Sequence, residues 1–220
     1  MAKTKKDDRV TLPIGRLINQ SVFKRDVYTD AKGVEGKPKY KVEMAFNDES
    51  DVEAMEDLLF DAAVAEWGDA GEKAFNDGDM ILPLKDGDEL AKRREDKGKE
   101  GTAYKGTTVI RADTMFNANG DEGPGGIRVY GPDLTILDPV TDMDQIYAGS
   151  FGRAGVKIGA YEREDPRSGQ KIKAFKFYLV AYQKTDDGEK LTSSADHSTL
   201  FEPVARQEGE GTTRRRRRKG

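Results

Sequence analysis

Over Ile146–Arg163, IYAGSFGRAGVKIGAYER, side-chain character alternates with a period of two, and no other stretch constrains the fold as tightly. Ser150, Gly152, Ala154, Val156, Ile158 and Ala160 are small or aliphatic, while Phe151, Arg153, Lys157 and Tyr161 stand between them. A strand sends successive side chains to opposite faces. One face of this segment therefore suits a core, and the other displays two cations between two rings. A second such run, Ile172–Lys184, follows after Asp165–Gly169, whose proline and glycine suit a hairpin turn. Two long strands in sequence commit the chain to a sheet.

The remaining pattern is consistent with that. Val10–Tyr28 reads as a long irregular strand with Leu12, Ile14, Ile18 and Val22 as its apolar members, and Thr29–Lys37 reads as a loop. Lys39–Asn47 alternates cleanly, with Tyr40, Val42, Met44 and Phe46 opposed to Lys39, Lys41 and Glu43. The period then changes. Ser50 with Glu53 forms a capping box, and Val52, Met55, Leu59 and Ala62 or Ala63 recur at helical spacing up to a stop at Gly68. Asp69–Thr102 reads as an elaborated connection interrupted by Met80–Leu84. Tyr104–Thr114 is strand-like, Asn117–Gly126 is a turn-rich loop, and Ile127–Tyr130 and Leu134–Leu137 are short strands around Gly131–Pro132. About five long strands and one helix predict a mainly β fold: an OB-fold-like five-stranded barrel with long loop insertions. The standard barrel of this type more often carries its helix between the third and fourth strands. The predicted division is a disordered N-terminus over 1–9, one domain over 10–204 and a disordered basic C-terminal tail over 205–220. Tyr40, Phe46, Trp67 and Phe177 are assigned to the core.

Composition removes whole classes of chemistry. The 220 residues contain no cysteine and a single histidine, His197, so disulfides, thiolate metal sites and His-rich clusters are excluded. Neither a G-x-S-x-G elbow nor a G-x-x-x-x-G-K-[ST] phosphate loop occurs. Asp86, Asp88 and Glu89, with Asp138, Asp142 and Asp144, are acidic enough to suggest a two-metal nuclease. Yet Gly87, Pro139 and Thr141 beside them are the company of turns and caps. Asn117, Asn119 and Asp121 begin like a calcium loop but have Glu122 and Arg128 where glycine and glutamate are required. No apolar run approaches membrane-spanning length. The reading is non-enzymatic, with no cofactor and no metal.

The net charge of −4 conceals a segregation. Six of the 37 Lys and Arg stand at Arg214–Lys219, leaving 31 against all 41 acids in residues 1–213, a balance of −10. Such a tail, with Arg214, Arg215 and Arg216 at its start, attracts phosphates through counterion release. Outside it, cations and rings recur on predicted strands. Arg16, Lys39, Lys41, Lys105, Arg111, Arg153 and Lys157 are the candidate phosphate contacts, and Tyr104, Phe151 and Tyr161 lie among them as rings. Lys171, Lys173 and Lys176 stand beside Phe175, Phe177, Tyr178 and Tyr182. Ring-and-cation faces suit single-stranded nucleic acid, because stacking tolerates any base, and nothing resembles a recognition helix for a duplex groove.

These residues resemble a known family. Pro13-Ile14-Gly15-Arg16-Leu17 with Phe23, Pro38-Lys39-Tyr40 leading to Phe46, and Trp67-Gly68 are similar to bacteriophage single-stranded-DNA-binding proteins with an OB fold. Leu82-Pro83-Leu84-Lys85-Asp86-Gly87-Asp88, Tyr104-Lys105-Gly106, Ile146-Tyr147-Ala148-Gly149, Arg153 and Gln183-Lys184 continue the likeness across about residues 10–190. The resemblance implies a protein that coats single-stranded DNA during phage replication or recombination in the host cytoplasm. It acts without catalysis as a monomer or homodimer, with phage replication or recombination proteins as further partners. It also makes Asp86-Gly87-Asp88 a loop feature of the family. Relatives often end in an acidic, partner-recruiting tail, whereas this chain has Arg214–Lys219, preceded by Glu202, Glu208 and Glu210. The alternatives are a metal-dependent nuclease built on Asp86, Asp88 and Asp138, and a virion or scaffold protein that binds DNA through the arginine tail.

Overall fold

A computed structural model describes residues 9–29, 32–122, 125–164 and 169–191. Residues 1–8 of the predicted N-terminal segment, the predicted C-terminal tail, the turn at 165–168, His197 and Arg214–Lys219 lie outside the described residues, while Arg9, the last residue of the predicted N-terminal segment, begins a strand. The elements in chain order are β1 (Arg9–Thr11), β2 (Gly15–Gln20), β3 (Tyr40–Phe46), α1 (Glu49–Trp67) and α2 (Asp69–Asn76). They continue with β4 (Met80–Ile81), β5 (Leu84–Asp86), α3 (Gly87–Glu95), β6 (Thr108–Thr114), β7 (Arg128–Tyr130), β8 (Phe151–Glu164) and β9 (Lys171–Asp186).

The two long period-two runs become the β8–β9 hairpin, which is antiparallel from Glu164↔Lys171 back to Phe151↔Asp186. Gly152, Ala154 and Val156 are buried while Phe151, Arg153, Lys157 and Tyr161 are exposed, as the alternation requires. The register slips twice, between Phe151 and Gly152 and between Gly155 and Val156, and the second slip bulges Val180 out of β9. A bulge of this kind re-aims the strand that follows it, and here it sets Lys157 opposite Tyr178. Hydrogen-bonded neighbours run β8–β2–β3–β6–β9, and β9 pairs again with β8, so this path returns to its start. All its steps are antiparallel except β6–β9, which is parallel through Ala112↔Phe177 and Asp113↔Tyr178. The short strands β1, β4, β5 and β7 attach to β8, β9, β6 and β9.

The inward residues of these strands form one core with α1. Tyr40, Val42, Met44 and Phe46 from β3, Ile110 from β6 and Phe177 and Tyr182 from β9 pack with Met55, Leu59 and Ala63 of α1. Tyr40, Phe46 and Phe177 are buried as predicted, and Trp67 lies partly buried against the cluster, its ring 5.3 Å from that of Phe175.

Several sequence expectations are corrected. Val10–Tyr28 is not one strand, because β1 and β2 are separate and the chain after Gln20 is irregular apart from the bridge Asp26↔Lys39. The helix start is capped by Asp48, whose carboxylate accepts from the Ser50 amide at 3.0 Å. With α1 beginning at Glu49, the Ser50 box falls inside the first turn. Leu134–Leu137 forms only an isolated bridge, Tyr130↔Ile136. The connection 69–102 contains two further helices. α3 hides from a periodicity search because its one buried side chain is Ala91, and charged pairs such as Glu89–Arg93 cover the rest. α2 hides because Gly71 reads as a breaker. A Cβ there would lie 2.1 Å from the Ala63 carbonyl oxygen, so the glycine is what allows α2 to fold back on α1.

Candidate nucleic-acid interface

The outward side of the same strands carries a transverse row of side chains. Lys41 of β3 stands opposite Asp113 of β6. Asp113 is beside Tyr178 of β9, Tyr178 is opposite Lys157 of β8, and Lys157 is opposite Arg9 of β1. Residues opposed across neighbouring strands share a face, so one line across five strands reads cation, carboxylate, ring, cation, cation.

Asp113 organises this row. It is 7% exposed, and Lys176 donates to Oδ1 at 2.7 Å while the Lys39 ammonium lies 3.1 Å from the same atom. Arg111 is 3.7 Å from Oδ2. Burial pushes the Asp113 carboxyl up, but the bonds and charges of Lys176 and Lys39 outweigh it and hold the group below the ordinary value of 3.8. Three cations thus surround one carboxylate and leave an excess of positive charge on the face. Lys41 is paired with Asp26 on the loop that leads into β3, and this bond holds the Asp26 carboxyl low.

Tyr178 is the exposed ring of the row, with 43% of its surface accessible. It lies over Gly159, where a Cβ would come within 2.2 Å of ring atom Cε2, and the Lys176 ammonium sits 4.9 Å from the ring centroid. A side chain at 159 would push the ring off the sheet. Tyr161, 40% exposed, continues the same face of β8 two residues further on. Tyr178 and Lys176 were visible in the sequence among the rings and cations of β9. What set them apart from the buried Phe175 and Phe177 was the register imposed by the Val180 bulge.

Of the sequence candidates, Lys39, Lys41, Arg111 and Lys157 are brought together in and around the row. Arg16 and Phe151 face each other at the far end of the path, where β2 meets β8. Arg153 is on the β8 face with its Nε donating to Gln183 Oε1 at 2.8 Å. Tyr104 and Lys105 do not join them. The predicted strand Tyr104–Thr114 begins only at Thr108, and Tyr104 ends a 3-10 turn, Thr102–Tyr104. Its ring is 4% exposed and packs with Ala91 and Val109, under the Arg94 guanidinium at 4.9 Å. Its hydroxyl donates to Glu43 Oε2 at 3.2 Å; burial, then the Glu43 charge, push it up to about 12. Tyr104 is therefore a core residue and not a ring open to a base. Lys105 pairs with Glu95 at 2.8 Å. Arg214, Arg215 and Arg216 lie outside the described residues.

The acidic clusters occupy structural positions. Asp86 caps α3 by accepting from the Asp88 and Glu89 amides, and Asp138 accepts from the Val140 and Thr141 amides. Among the described residues no three His, Asp or Glu side chains converge as metal ligands, and no helix is long and apolar enough to cross a membrane.

Asp113 makes a pH prediction. Its carboxyl is depressed in the folded state, so its stabilising contribution is present above 3.8 and is lost as pH falls through the folded-state value. Replacing Asp113 by Asn leaves Lys39 and Lys176 without a counter-charge. It should cost about 1–3 kcal/mol at neutral pH and flatten the acid limb of a denaturation curve, measured from pH 7 down to pH 3. An unchanged acid limb would contradict the role given to this group.

The same fold is found in solved structures of phage proteins that bind single-stranded DNA. The C-terminally truncated single-stranded DNA-binding protein of bacteriophage Enc34 aligns with TM-score 0.55 at 16% identity, covering 84% of this chain and 90% of that one. The Enc34 protein in complex with single-stranded DNA aligns with TM-score 0.53 at 16% identity, covering 85% and 91%. The single-stranded DNA-binding protein gp2.5 of bacteriophage T7 gives TM-score 0.53 at 15% identity, covering 93% and 98%. No curated protein sequence matches the chain. The family model of the Enterobacter phage Enc34 single-stranded-DNA-binding protein matches residues 16–211, and the chain belongs to that family.

Proposed function

We propose that this protein binds single-stranded DNA, without catalysis and largely without sequence preference, along the face that carries Lys41, Asp113, Tyr178 and Lys157. That row is the observation that carries the reading. Cations at either side of an exposed ring match a phosphate backbone and a stacked base, and membership of the Enc34 family points to the same ligand. The biological setting is phage DNA replication or recombination in the host cytoplasm, and the working unit is one domain over 10–204.

The finer fold reading is an OB barrel. Its support is the returning path β2–β3–β6–β9–β8 with a single parallel step, β6–β9, which joins the third and fifth of these strands in chain order. OB folds bind oligonucleotides on the second and third strands and on the loops after the first and fourth. Here those strands are β3 and β6, which carry Lys41, Asp113 and Arg111. The loop after β2 holds Tyr28, 69% exposed and two residues beyond Asp26, which is bridged to Lys39. The arginine run adds a sequence-independent attraction of its own.

Titration of a labelled oligo-dT at several salt concentrations tests the reading. Affinity should fall linearly in a log–log plot with a slope of about −0.7 per phosphate contacted. A salt-independent affinity, or cleavage of the oligonucleotide in magnesium, would overturn it.

A further inference from the structure

Next to the row lies a groove of about 670 Å³ between β2, the end of α3 and the segment 187–191. Tyr104 lines it, with Arg16, Arg94 and Lys190 around it. Both guanidiniums are held by backbone carbonyls and not by carboxylates. Arg94 Nε donates to the Glu100 carbonyl at 2.8 Å, and Arg16 Nη2 donates to that of Glu189 at 3.1 Å. Arg16 Nε is buried with no partner. Glu100 and Glu189 also line the groove, but among the described residues Arg16 and Arg94 take part in no ion pair. Two unneutralised guanidiniums on one concave surface are positioned for an anion with several oxygens, since planar donors match phosphate.

The groove is continuous with the row. Glu43 stands opposite Arg111 on β6 and Asn19 on β2, one rung from Lys41–Asp113, and Asn19 lines the groove. From Tyr178 on β9 to β2 is three strand spacings, about 14 Å. We infer that the groove is a second phosphate-binding segment for the same single strand, engaged only when the strand is long enough to pass Glu43. This rests on the proposed function and extends its footprint.

The test uses the full chain with two oligo-dT lengths, about 4 and about 16 nucleotides, the span of site sizes seen for OB folds. Lys190→Glu and, separately, Arg94→Gln should each weaken the long oligonucleotide about tenfold and lower its salt slope by about 0.7, with the short one changed less than about twofold. Lys190 is exposed on the 187–191 segment, so its variant keeps the test valid if Arg94→Gln disturbs α3. Equal losses on both lengths, or no loss on either, would overturn the groove. Failure of the unmodified protein to bind the short oligonucleotide would instead overturn the row as the primary site.

Discussion

Replacing Tyr178 by alanine should weaken binding of single-stranded DNA by about 1–3 kcal/mol, the usual worth of one base stacked on a ring. The fold should persist. The ring is 43% exposed and contributes nothing to the core cluster, so denaturant midpoints should move by no more than about 0.5 kcal/mol. Gly159→Ala provides an independent version of the experiment. The added methyl would meet the Tyr178 ring and nothing else within 4 Å closer than that ring. An exposed ring can swing aside, so stability is spared while the platform is displaced. Both variants should bind more weakly at low and at high salt, because stacking is not screened as ion contacts are. Full affinity in both, measured by fluorescence anisotropy with labelled oligo-dT, would remove Tyr178 from the site.

The neighbouring residue should behave in the opposite way. Phe177 is 0% exposed, opposite Ile158 on β8 and beside Ala112 on β6, where the parallel step completes the returning path. Phe177→Ala removes a ring from a closed core and should cost about 3–5 kcal/mol in urea unfolding, the range for such truncations. The midpoint should fall with the slope unchanged. Whatever fraction remains folded should bind single-stranded DNA with nearly the original affinity, because Phe177 points away from the row. Tyr178→Ala losing stability and Phe177→Ala losing only affinity would mean that the two faces have been exchanged. The contrast arises from the two-residue period of the strand, in which adjacent side chains belong to different compartments.

That period is also what made so much of the molecule legible in its sequence. The alternation in 39–47 returned its strand and that in 146–163 returned β8 from Phe151 onward, both with the right faces inward, although Ile146–Ser150 is not strand, and the stripe Met55, Leu59 and Ala63 returned α1. Short elements were harder to see. β4 has two residues and β5 three, too few for any period to register. α3 offers one buried side chain, and Gly71 and Gly87 read as loop residues although each permits a close helix approach. The candidate cations were legible as types, since Lys39, Lys41, Arg111 and Lys157 do converge. What the sequence could not convey was their partnering and the ring between them. Asp113 of β6 holds Lys176 of β9 and Lys39, the residue just before β3. Tyr178 faces outward only because Val180 bulges out of β9. Tyr104 was misplaced because an aromatic next to a lysine looks the same in sequence whether its ring is covered by a helix or open to solvent.

On the function proposed above, the β3–β6–β9–β8 face, and not the arginine run, gives this protein its preference for single strands. The most direct measurement compares affinities for oligo-dT and for a duplex of equal length, using the full chain with Arg214 through Arg218 replaced by serine. Binding should weaken overall, with the preference for the single strand retained and abolished only when Tyr178→Ala and Lys157→Ser are added. Equal affinity for single strand and duplex in the serine-tailed protein, with its fold intact, would contradict that proposal.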